Sequence, residues 1–276
     1  MRCPQCNSKL SKKAAFCSIC GAAAPERTPK RFPVKLILCV VFAVSVLLNV
    51  LSFMRPATRL EGRGFRSPEA AITAYAKALR KGDVQEMLST FAIESLDETY
   101  DLEQQIDQYG FFNYTQGNAL LPNDSAYHTQ INHYARLSSI AQQIFRGYYA
   151  LAGIDTDSEV ITFKTRQDPD APSKFYKQLK FPDLDEKLSQ IKLGKVLTAE
   201  DFGRNDDIYA SVLESQDFWG VSEFCEVAIE VEFDGKDYLL FMLTGKIGSR
   251  WYNLSTYGQL YLLQSNDGSL SGVILQ

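Results

Sequence analysis

Histidine is nearly absent. The 276 residues contain two, His128 and His133. They stand five apart, so on one helix they face different ways and cannot form the i, i+4 pair of a helical metal site. There is no phosphate-binding loop, no dinucleotide fingerprint and no G-x-S-x-G nucleophile elbow. None of these motifs therefore points to nucleotide binding or to a nucleophilic serine. Ser189-Gln-Ile-Lys192 matches S-x-x-K, but its companions S-D-N and K-T-G are missing. Proline is scarce, and no internal repeat is visible.

Charge is also unevenly withheld. Residues 1–35 carry eight Lys/Arg and a single acid, Glu26, whereas from Ser67 onward 17 basic residues face 31 acidic ones. Such asymmetry on either side of an apolar run fits a chain with its ends in two compartments. The acidic remainder argues against nucleic acid as a partner, because phosphate binding needs clustered Lys/Arg.

Of six cysteines, four fall in the first twenty residues. Cys3-Pro-Gln-Cys6 and Cys17-Ser-Ile-Cys20 are two C-x-x-C knuckles ten residues apart. Each knuckle lets two thiolates approach one metal, and two complete the tetrahedral sulfur cage that Zn²⁺ prefers. Disulfides or a redox dithiol are the alternatives; the matched pair favours zinc. With all four positions filled by protein the metal is structural, and it folds a segment too short to have a core of its own. Residues 3–21 resemble the short zinc ribbons at the N-termini of many bacterial membrane proteins. That resemblance implies a structural zinc module with a protein-contact surface and nothing catalytic. Zinc thiolates need a reducing compartment, which places this end in the cytosol. Cys39 and Cys225 read as packing residues.

Leu36 to Met54 is 19 residues without a charge, close to the ~20 that span a bilayer core. No small-x-small cleavage site follows before Arg55, so the run reads as an uncleaved signal anchor rather than a signal peptide. Ser45, Asn49 and Ser52 share one face of this helix, where they would meet a partner helix or be merely tolerated. Lys30, Arg31 and Lys35 precede the run and Arg55, Arg59, Arg63 and Arg66 follow it. The metal argument settles this near balance: N-terminus cytoplasmic, C-terminus extracytoplasmic, a single-pass protein of the plasma membrane.

The expected organisation is a zinc ribbon over 1–25, a basic linker over 26–35, the transmembrane helix over 36–54, a second linker over 55–66, and an extracytoplasmic α+β domain over 67–276. Ser67, Pro68 and Glu69 start a helix with Ile72, Tyr75, Ala78 and Leu79 on its apolar face, and Gly82 ends it. Asp83 to Glu86 restarts a second helix, which buries Met87, Leu88 and Phe91. Val221, Cys225, Val227, Ile229, Val231 and Phe233 alternate with Glu226, Glu230 and Glu232, predicting a strand with one wet face. Asp234-Gly235 predicts a hairpin, Tyr238–Leu243 a central strand, Gly248-Ser249 a second turn, Arg250–Tyr257 a third strand, and Leu260–Leu263 an extension of the sheet. Between these ends a helical insertion over about 93–220 is expected, with helices at 94–108, 126–152, 184–193 and 206–214. In the long one, Ile131, Tyr134, Ile144, Tyr148 and Leu151 repeat at helical spacing.

Residues 67–92 ("SPEAAITAYAKALRKGDVQEMLSTFA") together with the hairpin "YLLFMLTGKIGSRWYNLS" resemble the nuclear-transport-factor-2-like (cystatin-like cone) fold. The resemblance implies helices packed on a cone-like antiparallel sheet, and it admits an enzyme, because some members of that superfamily are isomerases, dehydratases or cyclases. No acid–base residue stands out. Glu200-Asp201, Asp206-Asp207, Asp183 and Asp185 read as solvated helix caps, and Glu226, Glu230 and Glu232 mark a site only if their face is concave. Tyr109, Phe111, Phe112, Tyr114, Tyr148 and Tyr149 would bind a sugar or peptide, or be core. The function expected is a membrane-anchored binding protein of the bacterial cell envelope, its outer domain holding a ligand or protein and its ribbon a protein partner. The alternative is a cone-pocket enzyme displayed outside the membrane.

Overall fold

The computed structural model describes residues 2–11, 14–24, 59–110, 120–154, 162–204, 217–265 and 270–276. The chain divides into two compact units, residues 1–58 and 59–276. The apolar run 36–54, the basic linker, the expected helix 206–214, and Phe111, Phe112 and Tyr114 lie outside the described residues. Among the described residues no helix is long and apolar enough to cross a membrane.

In the first unit each knuckle closes on backbone hydrogen bonds. Asn7 N–H donates to Cys3 O at 3.0 Å and Cys3 N–H to Ser8 O at 2.9 Å; Gly21 N–H donates to Cys17 O at 2.9 Å and Cys17 N–H to Ala22 O at 2.8 Å. Asn7 and Gly21 both take positive φ, 59° and 69°, at matching positions after the second cysteine of each pair. Asn and Gly are the residues that tolerate this turn.

The second unit is α+β. Its helices are α1 (Pro68–Lys81), α2 (Val84–Ser89), α3 (Glu94–Thr99), α4 (Leu102–Tyr109), α5 (Ala126–Leu151), α6 (Ala171–Leu179), α7 (Leu184–Ser189) and α8 (Gln259–Gln264). Its strands are β1 (Lys192–Leu197), β2 (Glu223–Phe233), β3 (Lys236–Ile247), β4 (Arg250–Ser255) and β5 (Val273–Leu275). All pairs are antiparallel, in the order β1-β2-β3-β4, with β5 beside the first half of β3. The β2–β3 register runs from Glu223 opposite Lys246 to Phe233 opposite Lys236, closed by Asp234 and Gly235 at φ 50° and 74°. Two successive left-handed residues form the turn whose twist matches a hairpin.

The helix signals act as read. Ser67 Oγ accepts from Ala70 N–H, Pro68 opens α1, and Gly82 ends it in the left-handed region. Asp83 then caps α2 by accepting from Glu86 N–H at 2.8 Å. Ile72, Tyr75, Ala76, Met87 and Phe91 pack onto Val227, Ile229, Val231, Leu240 and Met242, forming the main core on one face of the sheet.

Several expectations change. The expected linker 55–66 ends early: Arg59 onward belongs to the folded unit. Glu61 is buried, and its Oε2 accepts from Ile93 N–H, Ser95 N–H and Ser95 Oγ at 2.7–2.9 Å. Phe65 makes an isolated antiparallel bridge to Trp251, its N–H donating to Trp251 O at 2.8 Å and its O accepting from Trp251 N–H at 3.0 Å. Arg residues hide this from a hydropathy reading, because what docks here is backbone and one carboxylate. The expected helix 94–108 is two helices, broken where Tyr100 turns extended and Asp101 caps α4 through Gln104 N–H. The insertion is not purely helical, since the expected helix 184–193 stops at Ser189 and β1 follows, adding to the edge of β2.

The strand expected at 260–263 is helix α8. The wet face expected for β2 is covered at one end, where Ala228, Leu239, Phe241, Leu260 and Tyr261 form a second core. Glu226 lies beneath it, 2% exposed, and accepts from Leu260 N–H at 2.7 Å and Tyr261 N–H at 2.8 Å. A carboxylate from a distant strand thus satisfies the free N–H groups at the start of α8.

Candidate functional site

Two places gather chemistry, one in each unit. In the first, the sulfurs of Cys3, Cys6, Cys17 and Cys20 all lie within 4.8 Å of one another. Cys3 Sγ is 3.5 Å from Cys20 Sγ, and Cys6 Sγ is 3.5 Å from Cys17 Sγ. A disulfide would bring two sulfurs to about 2.05 Å, whereas four thiolates on one zinc, at about 2.3 Å each, stand roughly 3.8 Å apart. The observed spacing fits the second arrangement. Each close pair takes one sulfur from each knuckle, so each knuckle supplies half of one cage.

Ser8 Oγ sits 2.9 Å from Cys6 Sγ and 3.1 Å from Cys17 Sγ. Its hydroxyl, followed by backbone N–H groups, lowers the Cys17 thiol to about 6, and it lowers Cys6 as well. At Cys20 the Ala22 N–H pulls the other way, but the neighbouring Cys6 and Cys3 push the thiol up to about 12. Four thiols this close cannot all ionise together without a cation between them, and that is the chemistry a divalent metal supplies.

The second place is a cavity of about 470 Å³ in the α+β unit. Its walls come from α1 (Tyr75, Leu79), from α5 (Ile144, Phe145, Tyr148, Tyr149), from Phe181 ahead of α7, and from the sheet (Phe233, Leu240, Val273). Its size is that of a small-molecule site. The lining is overwhelmingly apolar. Phe181 and Phe233 stack at 5.6 Å, with Phe181 held at φ 33°. The polar groups on the lining include Tyr75, Tyr148, Asp185, Thr256 and Ser271. Burial pushes the Tyr75 phenol far above its usual range, and burial followed by the adjacent Tyr149 raises Tyr148. Both stay protonated at neutral pH and can donate a hydrogen bond. Tyr148 already donates to Leu179 O at 2.6 Å.

The other residues singled out are dispersed. His128 Nδ1 lies 2.6 Å from Asp124 at the exposed start of α5. His133 Nε2 lies 3.5 Å from Oδ2 of Asp97, a buried carboxylate whose Oδ1 accepts from Asn132 Nδ2. Neither histidine lines the cavity. Glu226, Glu230 and Glu232 do not form a site. Glu226 caps α8, Glu230 accepts from Lys195 N–H at 2.9 Å, and Glu232 pairs with Lys192. Ser189 Oγ donates to Glu186 O, so Ser189 and Lys192 make no dyad. Asp201 closes a capping box with Thr198. Tyr109 packs edge-on against Phe218 at 5.6 Å. Of the expected aromatics, Tyr148 and Tyr149 reach the cavity.

The cavity residues Tyr75, Leu79, Phe181, Phe233 and Leu240 carried no signal of their own in the sequence. An apolar residue facing a void has the same periodicity as one facing a neighbour.

No protein-family model matches this sequence, and no curated protein matches it. Among solved structures, the chain is similar to a cystatin-like protein from Ruminococcus gnavus ATCC 29149, at 14% sequence identity and a TM-score of 0.43. The match covers 75% of this chain and 44% of that one, so this chain spans less than half the length of the protein it matches.

Proposed function

We propose that this is a single-pass membrane protein whose outer domain binds an apolar small molecule or acyl group. In this reading a cytosolic ribbon holds one structural Zn²⁺ on Cys3, Cys6, Cys17 and Cys20, residues 36–54 cross the plasma membrane, and the α+β unit stands outside as a cone of the nuclear-transport-factor-2-like kind. The observation that carries the binding role is the apolar cavity between α1, α5 and the sheet. Binding is favoured over catalysis because, among the described residues, Asp185 is the only carboxylate on the lining and no histidine joins it. The buried carboxylate of Asp97 and its partly exposed neighbour His133 lie elsewhere. A phenol such as Tyr75 would orient a ligand by one hydrogen bond while the walls supply the affinity.

The test is extraction of the purified full-length chain followed by mass spectrometry for bound apolar molecules. The wild type is expected to carry one species in roughly stoichiometric amount, and Leu240→Trp, which fills the cavity, is expected to lose it. A wild type that carries none, and whose unfolding temperature no acyl compound shifts, refutes the reading. For topology, protease added to intact spheroplasts is expected to cleave residues 67–276; protection of that region reverses the sides.

A further inference from the structure

Helix α5 is 26 residues long, and its solvent face is unlike that of a solvated helix. Its exposed positions are Ala126, Tyr127, Gln130, Ile131, Tyr134, Ala135, Ser138, Gln142, Phe145 and Tyr149. None carries a charge, in a chain where 22% of residues do. Tyr127 is 68% exposed, Tyr134 64% and Phe145 60%. The cavity accounts for Phe145 and Tyr149, which line it, but not for Tyr127, Ile131 or Tyr134. Aromatic enrichment with charge depletion is the composition of an interface centre.

The spacing suits one occupant, a second copy of this helix. Tyr127, Ile131, Tyr134, Ser138, Gln142, Phe145 and Tyr149 follow steps of 4, 3, 4, 4, 3 and 4. At 100° per residue all seven fall within a stripe about 80° wide, and the 11-residue repeat keeps that stripe straight. The series is palindromic about Ser138. Turned end for end on a two-fold axis through that residue, it sets Tyr127 against Tyr149, Ile131 against Phe145, Tyr134 against Gln142, and Ser138 against itself. Bulky residues meet at the ends, and Ser138, the smallest of the seven, sits on the axis where two helices must approach most closely. A surface complementary to its own inverse is what an isologous dimer requires.

We infer that α5 is the contact of a homodimer, an antiparallel helix pair with Ser138 on the axis. A helix of this length is about 39 Å long and 10–12 Å wide, so the pair covers about 900 Å² in total. That is under the roughly 1,200 Å² of a stable interface and belongs to transient dimers. Copies held side by side on one membrane overcome this through effective concentration, a step that rests on the anchoring proposed above.

The test uses the full-length chain in its native membranes, with Cys39 and Cys225 replaced by Ser. Ser138→Cys is expected to be joined to its own copy by a short bis-maleimide. Gln130→Cys, whose copies would stand about 24 Å apart, is expected not to be. In the Ser138→Cys background, Tyr134→Glu and Gln142→Lys are each expected to cut crosslinking about tenfold. Together they are expected to restore it to within about twofold, since each Glu then faces the other copy's Lys. Thermal unfolding of every variant checks the fold, and cell fractionation reports the anchoring separately. A crosslink in a chain that fractionates as soluble keeps the dimer and removes the anchor. An anchored, folded chain that does not crosslink at 138, that crosslinks equally at 130, or that is not rescued by the double change overturns the dimer.

Discussion

The four-cysteine module and the α+β unit meet the same need, holding a backbone in place, by opposite means. The module has almost no interior: Cys3, Leu10 and Cys17 are its buried hydrophobics, and Phe16 and Ile19 stand in solvent. Its ligand atoms converge from two local turns, so a short stretch of sequence carries nearly the whole design. The α+β unit buries two faces of a sheet, and many of its decisive groups are polar and distant in sequence. Glu61 serves the start of α3, Glu226 serves α8, and Arg136 donates to Ala92 O and Leu254 O at 3.1 and 2.5 Å. Local chemistry is legible where the fold is local. Where backbone ends must be satisfied across the structure, the residue that does it looks like a surface residue in the sequence.

Metal removal should break this contrast most sharply. Structural zinc contributes on the order of 10 kcal/mol to a module with no other core. Chelation is expected to abolish all slow amide exchange in residues 2–24 while the melt of residues 59–276 stays where it was. Slow amides that survive in the metal-free module would show that it folds on its own packing.

A smaller effect is expected from Glu226→Ala. It leaves the Leu260 and Tyr261 N–H groups without an acceptor in a covered site, at about 1–3 kcal/mol for each group. The measurements are denaturant unfolding and amide exchange in α8. Glu226→Gln, which keeps one acceptor oxygen, should lose less. Equal losses from the two changes would mean that packing, not capping, is what Glu226 provides.

The smallest effect concerns Asp97. Burial raises its carboxyl above the usual range, against the opposing pull of Asn132 and His133. The folded state therefore holds that proton more tightly than the unfolded chain does. Stability from this group is present in full below the unfolded value, near 3.9, and is lost as pH rises through the folded value. Asp97→Asn cannot titrate, so its melting temperature should exceed that of the wild type at pH 8, and the gap should close toward pH 4. A gap independent of pH would rule out desolvation as its cause.

The long helix shows where local reading stops. Its limits were expected at 126–152, and it runs Ala126–Leu151. Its buried face was not plain. Ile131 and Tyr134, expected inside, are 40% and 64% exposed, whereas Asn132 and Gln143 are buried. Asn132 holds Leu121 through both its N–H and its C=O, and Gln143 accepts from Thr256 N–H at 2.8 Å. An apolar period marks which residues want to leave water. It does not say that a backbone elsewhere needs an amide, nor that an apolar stripe awaits another chain. The strand and helix near the C-terminus show the same thing: Leu260 and Tyr261 are apolar enough for either state, and the Glu226 carboxylate selects the helix.

By itself the sequence determined the paired knuckles, the helix caps at Ser67 and Asp83, the Asp234-Gly235 hairpin and the α+β class, because each depends on residues within a few positions of one another. Only the tertiary structure decided that residues 59–66 join the fold, that α8 is helical, that the acids of β2 are structural, and that Tyr75, Phe181 and Leu240 line a cavity instead of filling it. Those outcomes depend on which distant groups meet, and on whether the space between them is filled, which no spacing along the chain records.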